Sequence, residues 1–357
     1  MDLRHHIALR LHERMADEAV RKHELREIFW ESTLRCNLHC RHCGSDCKAT
    51  AGLKDMPLED FLPVLDQVKA AGLDTHKIMI VVSGGEPLMR PDLELCGQAF
   101  HDREFPWGMV TNGYALTRER FIRLLAAGLG SMTVSLDGLE EDHDWMRGVP
   151  GSFHRAEKAI RMACAVPDFV FDVVTCVNQR NYPHLEEIKE FLLGCGLKQW
   201  RLFTVFPMGR AAKDPELQLT PVQFKGLMEF IKATRKEGRI QASYGCEGFL
   251  GNYEGDVRDN FFFCNAGISV AGVLSDGSIS ACTSIRSNYH QGNIYKDNFM
   301  EVWEHGFVPY RDRSWMKKDD CAACRYWRFC RGGGMHLRDE DGKLILCHYN
   351  KLQAANV

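Results

Sequence analysis

At 357 residues, 45% hydrophobic and 26% charged, the chain suits one large domain plus a small one, and its composition excludes disorder. A net charge of −3 excludes a global attraction to nucleic acid or to an anionic membrane surface, so neither is expected as a partner. The N-terminus lacks the apolar core of a signal peptide and no run approaches the roughly 20 apolar residues of a membrane span, which places the protein in the cytoplasm without membrane insertion.

Residues 1–24 read as a helical extension, amphipathic against the main domain, with His5, His6, His12 and His23 solvated. From 25 to 237 short β-rich runs alternate with stretches of helical period, as a parallel βα architecture requires. Strands are predicted at 27–33, 77–83, 107–111, 132–136, 169–177 and 201–206. Helices are predicted at 57–71, from 91, from Thr117, and at 152–165, 183–195 and 220–236. The first of these carries Leu58, Phe61, Leu62, Leu65 and Val68 at spacings of three and four. Six βα units fall short of the eight of a closed barrel, leaving an α/β fold that is either an open doubly wound sheet or a partial (β/α)6 TIM-like barrel. Both put chemistry at the C-terminal ends of the strands, where the unusual sequences fall: a cysteine loop, "GGEP", "TNG", "SLDG", "TCVN" and "FPMGR". A linker is expected over 238–262 and a small cysteine-rich domain over 263–350.

Fifteen cysteines in a reducing compartment favour metal or redox chemistry over disulfides. Cys36, Cys40 and Cys43 form C-x3-C-x2-C, and Cys47 follows. Such thiolates suit zinc, with Cys47 as fourth ligand, or an iron–sulfur cluster in which three cysteines leave one iron open. In "GGEP", glycines at 84 and 85 let the backbone approach a ligand and Glu86 sets a carboxylate beside the loop, a combination that suits an ammonium group.

On these motifs, with "TNG" (111–113), "SLDG" (135–138), "RG" (147–148) and "FPMGRA", the chain resembles a radical SAM enzyme. The resemblance implies the partial barrel and a [4Fe–4S] cluster on Cys36, Cys40 and Cys43 that chelates S-adenosylmethionine and, once reduced, yields a 5′-deoxyadenosyl radical. It further implies that Gly84, Gly85 and Glu86 meet the methionine ammonium, that Ser135 and Arg147 meet its carboxylate, and that His42 lies by the adenine. Cys47 then becomes a spare thiol that must stay off the open iron. A flavodoxin or ferredoxin is implied as electron donor.

The C-terminal pattern is similar to the SPASM extension of that family, which binds auxiliary [4Fe–4S] clusters. Cys321, Cys324, Cys330 and Cys347 match one cluster in full, although zinc competes for that set when it is read alone. Cys264, Gly277 and Cys282 match half of another, but Gly334 of "CRGGG" stands where the family has a cysteine, and Cys246 is a substitute of unusual spacing. At least one auxiliary cluster is expected; without the other, Cys264 and Cys282 are buried free thiols or bind a smaller centre. Cys96, Cys164 and Cys195 read as small core hydrophobes; Cys176, at a strand end, is singled out. No catalytic acid or base is read from the sequence.

The resemblance implies an oxidoreductase acting on a ribosomally made peptide or protein. Alternatives are a small molecule such as a haem-pathway or cofactor precursor, and a non-catalytic metal scaffold. Sulfatase-maturing members carry an aspartate where this chain has Thr283, which argues against that activity.

Overall fold

The computed structural model describes residues 3–245, 247–285 and 287–355. Strands and helices alternate as α1 (Leu3–Lys22), β1 (Glu27–Thr33), α2 (Leu58–Ala70), β2 (Met79–Gly84), α3 (Leu93–His101), β3 (Trp107–Thr111), α4 (Arg118–Ala126), β4 (Leu129–Ser135), α5 (Glu140–Arg147), α6 (Ser152–Cys164), β5 (Val170–Val177), α7 (Leu185–Gly194), β6 (Gln199–Thr204), α8 (Pro221–Glu237) and β7 (Gln241–Tyr244). The strands pair in chain order, each parallel to the next, and β8 (Val270–Val273) joins the free side of β1 in parallel. β9 (Ser278–Ser280) and β10 (Gly292–Asn293) extend that edge antiparallel. β7 and β10 are the two edges, so the sheet stays open as a partial barrel. The C-terminal domain adds the short helices α9 (Phe299–His305), α10 (Val308–Arg311), α11 (Trp327–Cys330) and α12 (His348–Ala354).

All six predicted strands are present, with boundaries shifted by up to three residues. β7 is additional and falls in the stretch expected to be a linker. Its four residues bury only Ala242 and Tyr244, too short an alternation to read as a strand.

Buried and half-buried positions alternate along the strands. The outward side chains pack under the helices: Trp30 stacks on Phe61 at 4.7 Å, with Phe100 edge-on at 5.8 Å. Burying each such side chain contributes about 1.5–3 kcal/mol. Parallel strands covered on both faces read as continuous apolar runs, whereas the inner face here is partly polar. Thr133 donates to Asp172 at 2.6 Å and Arg201 bonds both. The concave face is thus left open to ligands.

α1 buries Leu9 and Ala16 and lies on the C-terminal domain. Arg328 meets Glu13 at 3.0 Å and Arg331 meets Asp17 at 2.5 Å. Of the histidines expected to be solvated, His6 is exposed, whereas His5, His12 and His23 are half-buried against neighbouring chain. His5 and His12 bond the carbonyls of Gly251 (3.2 Å) and Phe262 (3.1 Å), His23 lies 3.2 Å from Glu304, and His6 packs edge-on to Phe329. The acceptors lie some 250 residues away in sequence, beyond any local pattern.

Candidate functional site

Cys36, Cys40 and Cys43 leave β1 on a loop closed by a bridge between Arg35 and Lys48, with the Cys36 N–H donating to the Lys48 carbonyl at 2.9 Å. Two neighbours clamp it. From α5, the carbonyls of Arg147 and Met146 accept the His39 and Arg41 N–H groups at 3.1 and 2.9 Å. From the "FPMGR" turn, Arg210 donates through Nε to the Cys40 carbonyl at 2.7 Å and through its N–H to the Cys43 carbonyl at 3.1 Å. The three thiols, Glu86, Ser135 and Arg147 line one cavity of about 150 Å³.

The "GGEP" glycines serve a close backbone approach first. A Cβ on Gly84, whose φ is 132°, would lie 2.1 Å from the Thr33 carbonyl oxygen, and one on Gly85 2.3 Å from that of Arg35. Glu86 is 1% exposed. It accepts from Thr111 Oγ1 (2.6 Å), the Asn112 N–H (2.7 Å) and the Leu88 N–H (3.1 Å), and burial still raises its pKa above the ordinary carboxylate range. "GGEP" and "TNG" therefore form one unit. Asn112 Nδ2 continues it to Asn37 Oδ1 at 2.8 Å and to Cys36 Sγ at 3.9 Å.

Arg147 sits on the opposite wall, 2.7 Å from the fully buried Asp137 carboxylate and 3.6 Å from Cys40 Sγ. Burial disfavours both charges, but their attraction outweighs it, so Asp137 titrates below and Arg147 above the ordinary value. Asp137 Oδ1 also accepts the Cys176 N–H at 2.9 Å. His42 lines the same cavity with Nε2 3.9 Å from Asp137, and burial lowers its pKa to about 4. Among the described residues, His42, Asp137 and Cys176 are the one group of three such ligand atoms within 4.8 Å of one another. Asp137 and Arg210 were not singled out from sequence, although both stand inside motifs that were.

The thiols differ. Burial pushes Cys36 up to about 12 and raises Cys40, whereas a hydrogen bond from Cys47 brings Cys43 down to about 5 despite burial. Cys47, expected to stand apart, is thus packed against the set and lines its cavity.

Cys321, Cys324, Cys330 and Cys347 line a second cavity with Phe249 and Leu337. The buried Arg338 donates to Cys321 Sγ at 3.4 Å, and the Asn350 N–H to Cys347 Sγ at 3.4 Å. Such donors offset the charge of cluster thiolates. Burial pushes Cys330 up to about 12. Zinc, at about 2.3 Å from each sulfur, would draw the four to roughly 3.8 Å from one another. Among the described residues no three cysteine sulfurs come within 4.8 Å, so both sets fit the larger cluster better.

The first auxiliary site has a glycine, Gly334, where the resemblance places a ligand. A Cβ on Gly334 would lie 2.7 Å from His336 Cε1 and 2.8 Å from the Glu247 carbonyl oxygen, leaving no room for a cysteine side chain. Glu247 is buried, accepting from Thr204 Oγ1 at 2.7 Å and from the Tyr244 hydroxyl. Cys282 titrates high through burial, with Cys264 adding to the shift. Cys246 lies outside the described residues.

Two family patterns match: the radical SAM superfamily over residues 30–192 and the SPASM iron–sulfur cluster-binding domain over 264–325. The chain is similar to the AdoMet-dependent heme synthase of Methanosarcina barkeri, with 29% identity over 86% of this chain and 90% of that protein. It is similar to the mycofactocin maturase MftC of Mycobacterium tuberculosis, with 27% identity over 86% of this chain and 78% of that protein. In fold it resembles anSMEcpe, solved with bound AdoMet and the Cp18Cys peptide, at a TM-score of 0.70 and 18% identity over 93% of this chain and 94% of that one. No helix among the described residues is long and apolar enough to cross a membrane. Its cofactors are a SAM-binding [4Fe–4S] cluster, auxiliary iron–sulfur and S-adenosylmethionine. The chain belongs to the radical SAM superfamily and carries a C-terminal SPASM domain.

Proposed function

We propose that the protein applies radical SAM chemistry to a small, flat, carboxylated ring system of the haem pathway. The likeness to an AdoMet-dependent heme synthase along nearly the whole of both chains carries this reading. The rim supports it. Arg41 stacks on Trp145 at 4.5 Å, and Phe206 packs on His336 at 5.2 Å, pairing flat faces with a guanidinium group that suits a ring bearing carboxylates.

The bound cluster and S-adenosylmethionine supply a 5′-deoxyadenosyl radical. Cys36, Cys40 and Cys43 hold the cluster, and Arg147, kept cationic by Asp137, faces the methionine carboxylate beside Ser135. Glu86 fixes the turn whose Gly84 and Gly85 backbone receives the ammonium, and His42, uncharged at neutral pH, borders the adenine. Arg210 anchors the loop. Cys321, Cys324, Cys330 and Cys347 hold the auxiliary cluster.

A ribosomally made peptide or protein is the second reading, favoured by the uncovered concave face of the open sheet. The two separate in one experiment: anaerobic protein, reductant and S-adenosylmethionine with an iron porphyrin bearing carboxylate side chains. The haem-pathway reading expects the porphyrin to stimulate 5′-deoxyadenosine release and to change in mass. An unchanged pigment would overturn it and return the peptide reading.

A further inference from the structure

Four of the twelve exposed large apolar side chains among the described residues lie on one helix: Leu3 (74% exposed), Ile7 (50%), Leu11 (56%) and Met15 (69%) of α1. Their spacing of four places them in one stripe, opposite the buried Leu9 and Ala16. The helix is therefore apolar on its solvent side, which a merely solvated surface helix is not. Arg4, Arg10 and Arg14 are exposed on the same side. Glu18 there is held by Arg21 and Lys22 at 2.6 and 3.2 Å, and Arg10 pairs with Glu13 at 3.1 Å, so that Arg4 and Arg14 carry the positive charge of this face.

The other side of α1 is fixed to the domain that holds the second cysteine set. Arg328, on α11 two residues before Cys330, bonds Glu13, and Arg331, directly after that cysteine, bonds Asp17. α1 thus forms an outer layer over α11.

We propose that the outward face of α1 is the docking surface for an acidic one-electron carrier protein, which gives its electron to the auxiliary cluster beneath. The carrier is oxidised by one electron and the cluster reduced by one. Charge selects this occupant. A second copy of the chain would set Arg4 and Arg14 against their own counterparts, and like charges across an interface are repulsive, whereas an acidic carrier complements them and surrounds an apolar contact with attraction. The inference rests on the auxiliary ligand set proposed above and on no particular substrate.

The test is a variant with Ile7→Glu, Leu11→Glu and Arg14→Glu, none of them in the cofactor sites. Binding of the reconstituted protein to an immobilised acidic ferredoxin or flavodoxin is measured at two salt concentrations, without substrate. Expected are salt-weakened binding by the parent, at least about tenfold weaker binding by the variant, and about tenfold slower bleaching of the iron–sulfur absorbance by the reduced carrier, while dithionite-driven 5′-deoxyadenosine release is unchanged. Equal binding of parent and variant would overturn the proposal. So would loss in the variant of binding to anionic phosphatidylglycerol vesicles, or of dimers by light scattering, with carrier binding intact. Failure of dithionite-driven release in both proteins would instead count against the cofactor assignment.

Discussion

His336 Cε1 stands 2.7 Å from the point that a Cβ on Gly334 would occupy, with the Glu247 carbonyl oxygen 2.8 Å away on another side. The position where the family has a cluster ligand is filled by protein. A Gly334→Cys variant should therefore keep about eight irons per chain, four in each of two clusters, and lose about 1–3 kcal/mol of stability through overpacking. Iron analysis and anaerobic urea unfolding check both. A rise toward about twelve irons would show that the site can open.

The pair Arg147–Asp137 is buried on both sides. Removing one partner of a buried pair leaves the other charge uncompensated, so Arg147→Ala should cost about 3–5 kcal/mol. Adding Asp137→Asn should recover part of that loss, a non-additivity that a double-mutant cycle measures. Simple additivity would mean that the pair is not coupled.

His143 is 1% exposed, and burial lowers its pKa to about 3. The unfolded chain, at about 6.5, takes up the proton first, so stability is complete above that value and falls as pH drops toward about 3. Between pH 7.5 and 5.5 this residue alone should remove about 1.4 kcal/mol. His143→Asn, which keeps an acceptor for the Asp137 N–H bonded at 3.1 Å, should lack that part of the decline in urea unfolding at the two pH values. An undiminished decline would assign it to other groups.

Cys47 lines the cavity of the first cysteine set and bonds Cys43, yet three thiolates suffice for a cluster with an open iron. Cys47→Ala should keep its iron and its 5′-deoxyadenosine release, whereas Cys40→Ala should lose about four irons. Equal losses would make Cys47 a ligand.

The first six strands were legible because their alternation and the helical period between them are local. The two cysteine sets stood out through spacing, while the choice between zinc and iron–sulfur needed the "GGEP" turn as well. The Arg147–Asp137 pair was not, because it forms only once α5 turns its last residue back over the end of β4. Gly334 was visible as a departure, but the imidazole filling the site comes from the turn that His336 makes. For α1, periodicity announced two faces without saying which one turns inward, and the chain buries Leu9 and Ala16 while leaving Leu3 and Leu11 outside. The short β7 carried too few residues to register against the glycine and loop sequence around it.

Action on a haem-pathway ring through cleavage of S-adenosylmethionine, as proposed, ties the two events together. Its most direct test reads 5′-deoxyadenosine and porphyrin mass together, in anaerobic reactions with and without an iron porphyrin bearing carboxylate side chains. Expected is 5′-deoxyadenosine that rises with the porphyrin and a matching mass change in the pigment, both absent in a Cys36→Ala variant. Fully iron-loaded protein that releases no 5′-deoxyadenosine, or releases it while the porphyrin stays unaltered, would contradict it.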